Sequence, residues 1–144
     1  MKLTIEKRDL FTVPKDYFLC HCISADFALG AGIAKKFAEM GVKDHLMETY
    51  EHKWRGNGYV ILTHQTGWRG EYNLVTKEKY WHKPTLSTLR QALTCMKIYG
   101  ENSDIIAMPR IGCGLDRLNW QDVEQIIREV FADTDVEILV CDWH

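Results

Sequence analysis

Proline is scarce: Pro14, Pro84 and Pro109 are the only three in 144 residues, they are scattered, and no Pro/Ser-rich stretch or repeat accompanies them. No linker is indicated, and residues 1–144 read as one domain. Cysteine is sparse as well. The five cysteines are an odd number with no Cys-x-x-Cys pair, so no disulfide framework is expected and a reducing, cytoplasmic setting is. No apolar run approaches the ~18 residues of a membrane span, and the start, Met-Lys-Leu-Thr-Ile-Glu-Lys-Arg, turns charged at once. Neither export nor membrane insertion is expected. An excess of one charge is also missing. Lys+Arg 18 against Asp+Glu 20 gives a formal net charge of -2, which offers no broad field for a polyanion, so a small ligand or a local contact is expected instead.

What is present is an ordinary globular composition, 46% hydrophobic and 26% charged, enough to build one core without disulfide or metal staples. Tyr17 to Ile23, Tyr59 to Leu62 and Ile105 to Met108 are nearly continuous apolar runs, the signature of central strands buried on both faces. Leu3 with Ile5, Tyr72 to Thr76, and the alternating Val136-x-Ile138-x-Val140 supply three further strands. Val123, Ile126, Ile127, Val130 and Phe131 recur at helical spacing behind Asn119 as N-cap, with Asp122 in the first turn. Leu86, Leu89, Leu93 and Met96 repeat that spacing after Pro84-Thr85, and Ile33 to Met40 and Val42 to Tyr50 form one or two helices around Gly41. Strands alternating with helices predict an α/β sandwich.

Two glycine-bearing loops follow buried strands. The first, Ser24 to Ile33, leads into a helix, where glycines let backbone approach a ligand and free N–H groups favour an anion. The chain has neither Gly-x-x-x-x-Gly-Lys-Ser/Thr nor a complete Gly-x-Gly-x-x-Gly, which excludes P-loop and dinucleotide-dehydrogenase readings on their own motifs. The second loop, Met108 to Trp120, adds a carboxylate, Asp116, beside backbone donors. Two such loops at the carboxyl ends of neighbouring strands could clasp a diphosphate. On residue type alone, Asp116 reads as a loop acid or a partner for Arg117, and Lys77, with Lys79 and Lys83, as a solvated surface segment. Cys20, His21 and Cys22 alternate across a strand and form no metal site. Cys113, with no histidine at a telling spacing, reads as a backbone contact to phosphate and not as a nucleophile. The five tryptophans, Trp54, Trp68, Trp81, Trp120 and Trp143, read as core or rim packing.

His21-Cys22-Ile23-Ser24-Ala25-Asp26 with Gly30-Ala31-Gly32-Ile33-Ala34, then Thr76-Lys77 with His82-Lys83-Pro84-Thr85, then Met108 through Trp120, resemble the macrodomain family, and within it the glycohydrolases of the lysine/aspartate type. The likeness runs from Asp9-Leu10-Phe11 to the final strand. It implies a three-layer α/β/α fold around a central mixed sheet of about six strands, with ADP-ribose as ligand and product and no further cofactor or metal. By position, Asp9 matches the acid that accepts from the adenine amino group, and Leu10 a backbone contact there. Ser24 with Gly30, Ala31, Gly32 and Ile33 matches the segment around the distal ribose and diphosphate. Arg110, Ile111, Gly112, Cys113, Gly114 and Leu115 match the phosphate loop, and Thr76 stands with the substrate contacts. Lys77 matches the nucleophile and Asp116 the acid/base, while the Trp143 indole is available to stack on adenine.

Ser24-Ala25-Asp26 replaces the Asn-rich first motif of the wider family, and Gly30-Ala31-Gly32 replaces a Gly-Gly-Gly run. Both departures argue against a water-based mechanism and toward a lysine-based one. Ala25 sits where the nearest glycohydrolases carry an acid, so contacts at the distal ribose differ. The implied activity is removal of ADP-ribose from glutamate or aspartate side chains of modified proteins by a monomer, with O-acyl-ADP-ribose deacylation as its small-molecule form. Alternatives are de-ADP-ribosylation of nucleic acid, a phosphatase for ADP-ribose phosphorylated at the anomeric position, and a reader without turnover.

Overall fold

In the computed structural model, which describes residues 1–143, the strands are β1 (Lys2–Glu6), β2 (Phe18–Ser24), β3 (Tyr59–Thr63), β4 (Gly70–Lys77), β5 (Ile105–Met108) and β6 (Glu137–Cys141). They form a six-stranded sheet in the order β1-β6-β5-β2-β4-β3. Neighbours are parallel except β3 and β4, so the sheet is mixed. Strand β2 shows why helices must cover both faces. Its Phe18 and Cys20 join a cluster with Leu89, Leu93 and Ile127, while Leu19 and Ile23 join one with Phe37 and Leu46. Helices α3 (Leu86–Tyr99) and α4 (Trp120–Val130) supply the first cluster, and α1 (Gly32–Glu39) and α2 (Val42–Thr49) the second. The expected α/β/α layering follows from that alternation.

Local signals explain the helix boundaries. The Asn119 side chain accepts from the Asp122 N–H at 3.3 Å, and Thr85 and Thr88 form a reciprocal capping box. Gly41, at φ 99°, ends α1 by donating to Ala38 O at 3.1 Å and starts α2 in the next residue, which resolves the segment around it into two helices.

One expectation is corrected. The Tyr59-to-Leu62 run is not a central strand: β3 lies at the sheet edge, half-buried and antiparallel to β4. The interior place belongs to β4, whose residues 70–76 are all buried although they include Glu71 and Asn73. Mutual satisfaction makes this possible. His21 Nε2 donates to Asn73 Oδ1 at 2.6 Å, and Asn73 Nδ2 donates to Ile61 O and Thr63 Oγ1, both at 2.9 Å. Thr63 Oγ1 donates in turn to Glu71 Oε1 at 2.9 Å, and the Gln65 N–H and the Thr66 hydroxyl reach the same carboxylate at 2.8 Å each. Above this ladder the His21 ring stacks on Phe37 of α1, with centroids 3.8 Å apart. Of the five tryptophans, Trp54, Trp68 and Trp120 pack against the core as expected, whereas Trp81 and Trp143 are exposed.

Burial pushes the His21 imidazole down to about 4, although its bond to Asn73 works the other way. An unfolded histidine titrates near 6.5. The neutral ring is therefore favoured in the fold, and its stabilisation is present above pH 6.5 and lost as pH falls toward 4. Between pH 7.5 and 4.5 urea unfolding should show the native protein losing about 2–3 kcal/mol more than a His21→Phe variant. Equal pH dependence in the two proteins contradicts a neutral buried His21.

Candidate active site

Because β1, β6, β5, β2 and β4 run parallel, their carboxyl ends open on one side of the sheet, and a cleft of about 970 Å³ lies there. This is the upper end of the roughly 300–1,000 Å³ usual for small-molecule sites. The cleft brings together Asp9, Leu10, Ser24, Gly30, Ala31, Gly32, Ile33, Lys77, Arg110, Ile111, Gly112, Gly114, Leu115, Asp116 and Trp143. Thr76 and Cys113 do not line it: the Thr76 hydroxyl is buried without a hydrogen-bond partner, and the Cys113 thiol turns onto Ile111 O at 3.4 Å. Asp9 follows β1 and Lys77 ends β4, four strand positions away. At ~4.8 Å per step the two ends are roughly 19 Å apart, so the cleft suits an elongated ligand.

The wall after β2 is held rigid by an acid whose part sequence reasoning missed. Asp26 Oδ1 accepts from the Ser24 hydroxyl at 2.5 Å and the Ala28 N–H at 3.2 Å, and Oδ2 accepts from the Tyr80 N–H at 3.0 Å. Burial works against that carboxylate, but the Ser24, Tyr80 and Ala28 hydrogen bonds and nearby Lys79 outweigh it and hold Asp26 below its usual range. Phe27 (φ 54°) and Leu29 (φ 41°) adopt left-handed backbone with their side chains buried in the core. Such geometry costs on the order of 1–3 kcal/mol each and persists only because packing imposes it. Helix α1 then starts behind Ala31 with no side-chain cap, and its first residues, Gly32, Ile33 and Ala34, line the cleft, where an uncapped helix start suits an anion. Lys36, one turn further on α1, also lines the cleft. Its i+4 spacing from Gly32 was the available signal.

The opposite wall is the segment from Pro109 to Asp116. Gly112 stands at φ 73°, a left-handed backbone that favours glycine, and a Cβ there would lie 2.8 Å from Leu118 Cδ1, so any other residue would also have to displace the end of that side chain. Leu118 N donates back to Gly112 O at 2.7 Å, closing the turn. Arg110 is fixed by Asp142, at 3.1 Å, and by the Trp120 ring, 5.4 Å from its guanidinium. Burial raises the Cys113 thiol to about 11 despite Arg110. Cys22, on the cleft floor, is also pushed up, by burial first and then by Asp116. Burial thus disfavours the thiolate, the nucleophilic form, at both positions.

At the β4 end, Lys77 Nζ donates to Asp116 Oδ1 at 2.6 Å, the two side chains only 12% and 15% exposed. The Ala25 N–H bonds Lys77 O at 2.9 Å across a register shift that follows Ile23, tying the lysine's backbone to the first loop. An amine and a carboxylate in direct contact can pass a proton between them while either faces a bound molecule. Lys83 and Tyr80 border this end, two further residues that sequence reasoning left out of the site.

No family model matches the chain. It is 43% identical to ADP-ribose glycohydrolase OARD1 of Bos taurus over 145 residues, covering 96% of this chain and 90% of that protein. The macrodomain of Thermus aquaticus DarG superposes with a TM-score of 0.73 at 20% identity, covering 97% of each chain. Thermosipho africanus DarTG in complex with ADP-ribose superposes with a TM-score of 0.63 at 20% identity, covering 96% of this chain and 41% of that one. The structural matches identify the fold as a macrodomain.

If Asp26 joins the segments that follow β2 and β4, Asp26→Ala should raise amide hydrogen exchange at both Ala28 and Tyr80. Hydrogen bonds to a charged group contribute about 1.5–3 kcal/mol, so about 10- to 100-fold faster exchange is expected. A change at Ala28 alone would show that the bridge to Tyr80 is unimportant.

Proposed function

The chain belongs to the family of ADP-ribose glycohydrolase OARD1, and on that premise we propose that it binds ADP-ribose along the cleft and hydrolyses it from glutamate or aspartate side chains of modified proteins. The Lys77–Asp116 hydrogen bond at the β4 end of an elongated, anion-suited cleft is the observation that carries this reading. Adenine would sit at the β1 and β6 end, against Asp9, Leu10 and Trp143. The diphosphate would lie between the start of α1 and the Arg110-to-Leu115 loop, which brings the distal ribose to Lys77.

In an ADP-ribosyl ester the anomeric carbon carries a carboxylate leaving group at the aldehyde oxidation level. Asp116 takes a proton from the Lys77 ammonium, and the neutral amine attacks that carbon. A nitrogen–carbon bond forms as the carbon–oxygen bond breaks, and the acidic side chain leaves with the proton that Asp116 hands on to it, which restores the Asp116 carboxylate. Water then adds to the adduct, giving a proton to Asp116, and the bond to Lys77 breaks with return of a proton to its nitrogen. Free ADP-ribose and the resting ion pair result. O-acyl-ADP-ribose presents the same bond on a small molecule. Contacts to the remote adenosine and diphosphate would hold the reacting carbon against Lys77, converting binding energy into rate.

Release of ADP-ribose from a glutamate-modified protein should fall by about 100-fold or more in Lys77→Ala and in Asp116→Ala. Calorimetry should show both variants still binding ADP-ribose. Tight binding without release by the native protein would identify a reader. Release only from ADP-ribosylated DNA would move the substrate to nucleic acid.

A further inference from the structure

Asp116 has to aim its carboxylate at Lys77 from a turn that its own backbone does not favour. Arg117, the next residue, is left-handed at φ 61° without being glycine, and only the bonds from Arg117 N to Gly114 O at 3.2 Å and from Leu118 N to Gly112 O at 2.7 Å close the turn from within. From the cleft side Lys77 holds the Asp116 carboxylate, and Lys83 holds the backbone beside it: its Nζ donates to Leu115 O at 2.7 Å. That carbonyl belongs to the peptide unit joining Leu115 to Asp116. Fixing its direction fixes the plane from which the Asp116 Cα leaves.

The anchor behind Lys83 is itself stiff. Pro84 follows it and restricts its backbone to extended conformations, and Thr85 caps α3 in the next position. The bond therefore runs from the start of a packed helix to the acid's own peptide, across 32 residues of sequence. The same peptide carries Leu115, whose Cδ1 lies 3.7 Å from where a Cβ on Gly32 would stand, so its orientation also sets how the two loops meet over the cleft. Resting on the glycohydrolase reading above, we propose that Lys83 is a positioning residue for this reaction, acting through the Leu115–Asp116 peptide.

A 1 Å misplacement of a reacting group can lower a rate by about 100-fold. Lys83→Met should lower kcat for release of ADP-ribose from a glutamate-modified protein by about tenfold or more, with KM changed less than about threefold. Lys83→Arg, which keeps a cationic donor, should recover most of the loss. Amide exchange at Asp116 and Arg117 should accelerate in Lys83→Met without ligand, while thermal stability stays near the native value. A raised KM with unchanged kcat would make Lys83 a substrate contact and overturn the proposal, as would unchanged kcat. Failure of the native protein to release ADP-ribose would instead defeat the reaction assigned above. The exchange measurement still decides on the strap, since unchanged exchange at Asp116 and Arg117 overturns it whatever the reaction.

Discussion

The parallel alignment of β1, β6, β5, β2 and β4 is the constraint from which everything else follows. Parallel neighbours must be joined by connections that return across a face of the sheet, so every segment leaving a strand's carboxyl end emerges on the same edge. Asp9, Ser24, Lys77, Arg110 and Trp143 are far apart in sequence and line one cleft because each follows, or ends, one of these strands. Strand β3 runs against its neighbour and contributes no residue to the cleft lining. Its task is to cover β4, and Gly58, just before it, passes so close to α3 that a Cβ would stand 1.9 Å from Thr88 O.

Within this frame the charged groups divide into two kinds. Glu71 is fully buried and saturated by hydroxyl and amide donors from Thr63, Gln65 and Thr66, so it is structural. Asp116 has one short bond to Lys77 and keeps access to the cleft, so it is available for chemistry. The thiols divide by the same reasoning. Cys22 and Cys113 stand near the cation of Lys77 or Arg110, yet burial outweighs that attraction and keeps them protonated.

Much of this was legible in the sequence because it is local. Apolar runs marked the strands, Asn119 and Thr85 marked helix starts, and the glycines after β2 and β5 marked the loops of the cleft. What escaped depends on partners distant in the chain. Asn73 looks too polar for an interior strand until His21 and Thr63 are seen beside it. Asp26 gains its role only through Tyr80, which is 54 residues away. Lys77 reads as a surface lysine on residue type alone, and its assignment came from resemblance to a family. The structure adds that it is mostly covered and bonded to Asp116.

Phe27 and Leu29, held in left-handed backbone by burial, and Asp26, bonded to the segments after β2 and β4, have a consequence for the thermodynamics of association. Ordering a flexible wall on binding would add its own loss of chain entropy and a large negative heat-capacity change. Here the wall is already ordered when the chain folds. The heat-capacity change on ligand uptake should therefore reflect the apolar surface that the ligand itself covers.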